Sequence, residues 1–152
     1  MEPALESAGD LGIVLVCDDT ESIRRLVAMN LEIGGFEVLE APNGETAIEI
    51  LRQRSAVGRL PDVVIVDVQM TPGDGWFVLR WIRQDPTLAH LPVVMTSAAD
   101  DYRGDREWQR SQGLDSWVKK PFDPELLIEL VSGYVTHGRA YYPPSHAGGN
   151  SA

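Results

Sequence analysis

Short apolar runs alternate with amphipathic stretches along this chain, and that alternation predicts its architecture. Ile13-Val14-Leu15-Val16-Cys17, Val63-Val64-Ile65-Val66 and Val93 to Thr96 are nearly unbroken apolar runs, the pattern of strands covered on both faces. Phe36 to Ala41 and Ser116 to Val118 read as two shorter strands, with Val38 the clearest inward residue of the first. Between the runs, apolar positions recur at spacings of three and four, which places them on one face of a helix. From about Ser22 to Ile33 these are Ile23, Leu26, Val27 and either Asn30 or Leu31, and Gly34-Gly35 ends the helix. Asn43-Gly44 opens a second helix, to about Arg54, with Ala47, Ile48 and Leu51 inward. Gly75 to Gln84 carries more apolar surface than one stripe needs. A fourth helix, about Tyr102 to Gln112, is very polar, with Trp108 its main apolar anchor. Asp123-Pro124 has the form of an N-cap with proline in the first turn, ahead of Leu127, Leu130, Val131 and Tyr134.

Five strands alternating with five helices predict an α/β fold, a parallel sheet with helices on both faces. The domain spans residues 11–136. Residues 1–10 read as a flexible leader. From about His137 the chain turns to Tyr141-Tyr142-Pro143-Pro144 and then to small polar residues, so 137–152 is expected to be a flexible tail.

Composition narrows the partners. A chain of 152 residues suffices for one domain with a full core. Its formal net charge of -10 argues against nucleic acid or an anionic membrane as the partner of the whole surface. Residues 1–10 are acidic and lack the basic start and apolar stretch of a signal peptide, and no apolar run approaches membrane-spanning length. A cytoplasmic location is expected. Cys17 is the only cysteine, which excludes an internal disulfide, and its place in an apolar strand fits a small buried hydrophobe.

The chemistry gathers at strand ends. Asp67 closes one apolar run and Asp18-Asp19 another, and carboxylates crowded at one sheet edge are unfavourable unless a cation joins them. In a parallel α/β sheet ligands bind beyond the carboxyl ends of the strands, where Ser97 and Lys120 also fall. Three carboxylates suit a small hard cation, Mg2+ with Mn2+ as the alternative. Asp18 also fits a helix cap, and Asp67 a cap in the turn that follows it. Lys120 points its ammonium at the carboxylates or at an anion among them, while Lys119 alternates away as a solvated lysine. Ser97 offers a hydroxyl to the same anion. His90, His137 and His146 have no metal-ligand company, Cys17 has no histidine partner, and the glycines near 73 and 75 lack a Walker ending.

Five segments in order resemble the receiver domain of bacterial two-component response regulators. They are Val16-Cys17-Asp18-Asp19, Val66-Asp67-Val68-Gln69-Met70, Gly73-Asp74-Gly75, Pro92 to Ala98, and Trp117-Val118-Lys119-Lys120-Pro121-Phe122. The resemblance implies a flavodoxin-like (βα)5 fold with strand order 2-1-3-4-5. It implies phosphoryl transfer to Asp67 from a histidine kinase or phosphotransfer protein, with Mg2+ bound by Asp19, Asp67 and the Gln69 backbone carbonyl, and by Asp18 through water. Lys120 and Ser97 would contact the phosphoryl group, and Trp117 would occupy the aromatic switch position, turning inward as Ser97 moves. Such a protein is a phosphoacceptor with slow autodephosphorylation and not a multiple-turnover enzyme. It signals through protein contacts, as a monomer or a phosphorylation-dependent dimer.

The chain departs from the common receiver pattern at Thr71, where proline is usual, at the bulky Trp117, and in the highly charged stretch Asp100 to Arg106. Gln69 and Ala99 flank the phosphoryl site in the family. With no helix-turn-helix pattern after residue 136, a stand-alone regulator is expected. Its alternatives are a receiver cut from a longer regulator with a DNA-binding or enzymatic output domain, and a pseudo-receiver that binds without taking phosphate. A haloacid-dehalogenase-type hydrolase is disfavoured, because Gln69 stands where that class needs a second aspartate.

Overall fold

Buried aliphatic strands set the frame. In the computed structural model, which describes residues 11–98 and 104–144, five parallel strands form one sheet in the order β2-β1-β3-β4-β5. The strands are β1 (Ile13–Cys17), β2 (Glu37–Ala41), β3 (Val63–Asp67), β4 (Val93–Ser97) and β5 (Ser116–Lys119). They alternate with α1 (Glu21–Ile33), α2 (Gly44–Ala56), α3 (Gly75–Gln84), α4 (Arg106–Ser111) and α5 (Pro124–His137). The flavodoxin-like order expected from the resemblance is therefore the order found. Residues 1–10 of the expected leader, Ala99 and Asp100 to Arg103 of the charged stretch, and residues 145–152 of the expected tail lie outside the described residues.

Alternation along the central strands divides the core in two. Leu15, Val64, Val66, Val93, Met95 and Trp117 face Ala47 and Leu51 of α2 and Val78, Leu79 and Ile82 of α3. Val14, Val16, Val63, Ile65, Val94 and Val118 face Val27 and Leu31 of α1 and Leu127, Leu130, Val131 and Tyr134 of α5. Each such Val, Leu, Ile or Met side chain contributes about 1.5–3 kcal/mol by leaving water.

Local signals hold the helix starts. Asn43 and Asp74 accept hydrogen bonds from Thr46 N and Phe77 N, both at 2.9 Å, and Asp123 accepts from Glu125 N at 2.9 Å. Gly44 is required by close approach, since a Cβ there would lie 2.4 Å from the Gly73 carbonyl oxygen. That contact seats the β3–α3 loop on the start of α2, where Gly44 N donates to the Gly73 and Pro72 carbonyls at 2.9 and 3.1 Å.

Four expectations need correction. The buried face of α1 is Val27, Ala28 and Leu31, whereas Leu26 is 60% exposed and Ile23 lies at the surface margin. The helix meets the sheet through a narrow stripe, so only one of two possible apolar faces fits beneath it. Val38 is only partly covered, because β2 is an edge strand, and Phe36 and Ala41 are the buried residues of that segment. Trp108 is 39% exposed, and α4 instead buries Gln109. Residues 138–144, placed in a flexible tail by composition, make a single 3-10 turn (Gly138–Ala140) and pack against α4 and α5. Aromatic contacts with other elements, invisible in the segment's own composition, supply that order.

A buried carboxylate ties the opposite end of the sheet together. Asp115 has a fully buried side chain that accepts from Arg83 Nη2 at 2.8 Å, Val93 N at 2.9 Å and Arg139 Nε at 3.0 Å. Arg83 also donates to the carbonyls of Gly113, Ala89 and Leu91 at 2.8, 3.0 and 2.7 Å. Burial pushes its guanidinium down to about 10, against the pull of Asp115 in the other direction. Removing one partner leaves the other charge buried and unpaired. Asp115→Ala should therefore lose about 3–5 kcal/mol of stability in urea unfolding, and a loss within error of zero would contradict this reading of the network.

Candidate functional site

Four strand ends converge on one cleft of about 620 Å³ lined by Asp19, Asp67, Gln69, Asp74, Ala98 and Lys120. Asp67 is the last residue of β3 and Asp18 follows β1, its neighbour in the sheet. Lys120 follows β5, two strands away, yet its Nζ lies 2.9 Å from Asp18 Oδ2 and 3.2 Å from Asp67 Oδ2. Its backbone N–H donates to the Ser97 carbonyl at 2.7 Å, and the Lys120–Pro121 peptide is cis, as is Thr71–Pro72. The other Asp18 oxygen accepts from Thr20 N at 2.9 Å in a local turn; Thr20 is the N-cap of α1 and no side chain caps that helix, so the cap reading of Asp18 is corrected. Asp67 Oδ1 faces Gln69 N at 3.4 Å.

The electrostatics follow from this crowding. Burial raises the Asp67 carboxyl above its ordinary range; Lys120 pulls it down and Asp18 adds to the rise. For Lys120, burial favours the neutral amine, but hydrogen bonds and attraction from Asp18 and Asp67 outweigh it and leave the ammonium raised. The lysine is thus a fixed cation below strongly alkaline pH. Asp67 keeps a partly uncompensated charge.

The donor set fits a hard divalent ion. Asp18, Asp19 and Asp67 each offer one oxygen, and these atoms lie within 4.8 Å of one another. All three donors are carboxylate oxygens, the ligand class Mg2+ takes, and the exposed Asp19 leaves one side open to water. The cluster is positioned to coordinate a divalent metal such as Mg2+.

The remaining candidates are placed differently. Ser97 is fully buried and does not itself line the cleft; its hydroxyl donates to the carbonyl of the next residue, Ala98, at 3.1 Å. Trp117 is 2% exposed, with its ring centroid 6.0 Å from that of Trp76. Lys119 pairs in register with Ser97 and stays outside the carboxylate cluster. Cys17 is buried, and burial pushes its thiol pKa far up, as befits an inert core residue.

Two neighbours of the site had no signal in the sequence pattern. Arg24, on α1, donates to the Asp18 carbonyl at 2.9 Å and to Glu40 at 3.1 Å, bracing the acidic turn from behind. Trp76, just after the Asp74-Gly75 pair, joins Trp117 to Trp108 at centroid distances of 6.0 Å each. Neither role follows from spacing, because both depend on which elements meet across the sheet edge.

Comparison with known proteins decides what this arrangement is. The family profile of the response regulator receiver domain matches residues 14–132. The chain belongs to that family. It is 37% identical over 118 residues to "Response regulator PleD" of Caulobacter vibrioides, covering 78% of this chain and 25% of that protein. It is 28% identical over 122 residues to "Polar-differentiation response regulator DivK" of Brucella anthropi, covering 80% of this chain and 94% of that one. The chain thus spans only about a quarter of PleD but nearly all of DivK. Among solved structures, the Francisella response regulator 1452 receiver domain superposes with a TM-score of 0.71 at 26% identity, over 82% of this chain and 97% of that one. As a receiver, the chain is a phosphorylation-dependent domain of the two-component type, a single-turnover phosphoacceptor whose carboxylate cluster suits Mg2+-assisted phosphorylation of an aspartate.

A carboxyl whose pKa is raised by folding adds stability only at low pH and loses that contribution as pH rises through the folded value. At pH 7 Asp67 therefore burdens the metal-free fold. In chelator, Asp67→Asn should raise Tm at pH 7 by on the order of 2–4 °C, with the gain fading in acid as the native carboxyl protonates. A lower Tm at pH 7 would contradict the assignment. Millimolar Mg2+ should raise the Tm of the unaltered receiver and not that of Asp19→Asn, as thermal scans with and without the ion will show.

Proposed function

We propose that Asp67 is the phosphoacceptor of this receiver. The observation that carries the reading is Lys120, brought from the far side of β4 to bind Asp67 and Asp18 together at 3.2 and 2.9 Å. A carboxylate attacking a phosphoryl group brings negative charge toward negative charge, and the site must offset it. Asp19, Asp67 and the Gln69 backbone carbonyl would hold Mg2+, with Asp18 acting through water, and the ion would supply part of that positive charge. Lys120 supplies the rest.

The transfer is a displacement at phosphorus. An Asp67 oxygen forms the new O–P bond while the P–N bond to a donor phosphohistidine breaks, and the imidazole nitrogen keeps the electron pair. Lys120, already hydrogen-bonded to Asp67, follows the charge onto a phosphoryl oxygen. Ser97 turns from the Ala98 carbonyl to bond another phosphoryl oxygen, and Trp117, packed on Trp76, carries that rearrangement into the core. Receiver domains take their phosphoryl groups within two-component systems, and the donor here is a histidine kinase or a phosphotransfer protein. The net charge of -10 supports a protein target and not nucleic acid. Among the described residues no helix is long and apolar enough to cross a membrane, which supports a cytoplasmic setting. Gel filtration with and without modification distinguishes a monomer from a phosphorylation-dependent dimer.

Incubation with a small phosphodonor and Mg2+ should add one phosphoryl group by intact mass. Asp67→Asn should abolish the adduct, and Lys120→Ala should slow its formation on the order of 100-fold. An adduct that persists unchanged in Asp67→Asn would overturn the assignment.

A further inference from the structure

The segment after α5 is seated in a notch that only glycine permits. Gly133 lies in the interior of α5, where glycine weakens a helix relative to alanine. A Cβ there would stand 2.2–2.4 Å from the ring atoms of Tyr141. The obstructing atoms belong to the segment and not to the helix, so the missing side chain serves the docking of Tyr141. That ring also packs edge-on to Tyr134 at 5.1 Å and stacks on His137 at 6.0 Å.

The same segment grips α4. Arg110 Nη2 donates to the Tyr141 carbonyl at 3.0 Å and Arg106 Nη2 to the Pro144 carbonyl at 3.3 Å. The two guanidinium carbons lie 4.4 and 4.9 Å from the Tyr142 ring centroid, a double cation–π contact. Pro143 is buried beside them. Arg139 fixes the start of the segment to Asp115 at 3.0 Å. Both basic side chains of a six-residue helix are thus committed to one stretch of chain.

α4 is also joined to the phosphorylation site. Its Trp108 meets Trp76 and, through it, Trp117. Trp76 stands two residues after Asp74, which caps α3 and lines the cleft. On the β4 side, the Ser97 hydroxyl is bonded to the Ala98 carbonyl, so drawing it to a phosphoryl group on Asp67 breaks a bond at the strand end that precedes α4.

We propose that Gly138–Pro144 is a latch that holds α4 against α5 and opposes phosphorylation of Asp67, and that phosphorylation in turn loosens it. The inference rests on Asp67 being the phosphoacceptor. The latch favours the arrangement with Ser97 bonded to the Ala98 carbonyl, and coupling between two sites is reciprocal. Undocking the latch therefore tightens the binding of a phosphoryl mimic by the factor through which the mimic loosens the latch.

The full chain, Gly133→Ala and Tyr142→Ala are titrated with beryllofluoride and Mg2+ by calorimetry, and hydrogen exchange is followed at the Tyr141 amide, which donates to the Gly138 carbonyl at 3.1 Å. Neither position touches the site, and Tyr142 is exposed, so folding of at least that variant is secure. In both variants exchange at Tyr141 should speed up and the mimic should bind about fivefold tighter or more. In the unaltered chain the mimic should speed Tyr141 exchange by a similar factor. Faster exchange with unchanged or weaker mimic binding overturns the latch, as does unchanged exchange in both variants. If beryllofluoride fails to bind the unaltered chain at all, the phosphoacceptor reading falls, and the latch with it.

Discussion

Two aspartates, Asp18 and Asp67, end adjacent parallel strands, and the strand pairing forces their carboxylates together at one edge of the sheet. Their repulsion is the constraint around which the functional end of the molecule is arranged. Lys120 relieves it in part by reaching across from β5 with one ammonium for two carboxylates. The relief is incomplete, since burial still holds the Asp67 carboxyl above its usual range. A site poised in this way is positioned to coordinate a further cation, and its carboxylate cluster suits Mg2+-assisted phosphorylation. Binding and chemistry draw on the same electrostatic imbalance.

The opposite end of the sheet is built on the reverse principle. Asp115 is as buried as any charge can be, yet two arginines and a backbone N–H satisfy it. That end is fixed, and it anchors β5 and the start of the segment that follows α5. Between the two ends, the aliphatic strands are buried on both faces of the sheet. At the periphery α4 is short and polar, with a buried glutamine where a core helix would carry an aliphatic residue.

How much of this was legible depends on the range of the interaction. The buried runs of β1, β3 and β4 declare themselves, because a strand covered on both faces has no room for polar residues. The caps at Asn43 and Asp123 are equally local, being satisfied within three residues. The acidic cluster was legible because a parallel sheet sends all its strand ends to one side. The α1 stripe was misjudged, since Ile23 and Leu26 share the helix's apolar composition with Val27 and Leu31 and only the fit to the sheet separates them. Trp108 looked like an anchor for want of another apolar residue in α4, and it is a partly exposed bridge to Trp76.

By itself the sequence determined the α/β alternation, the convergence of Asp18, Asp19, Asp67, Ser97 and Lys120 on one edge, and the carboxylate chemistry found there. These depend on the period of apolar residues and on the single direction of a parallel sheet. Tertiary structure alone decided that one Lys120 ammonium bonds both Asp18 and Asp67, that Trp76 joins Trp117 to Trp108, and that Tyr141 fills the notch at Gly133. Each of those is a meeting of side chains from elements far apart in the chain, and no periodicity within one element records what its neighbour will place against it.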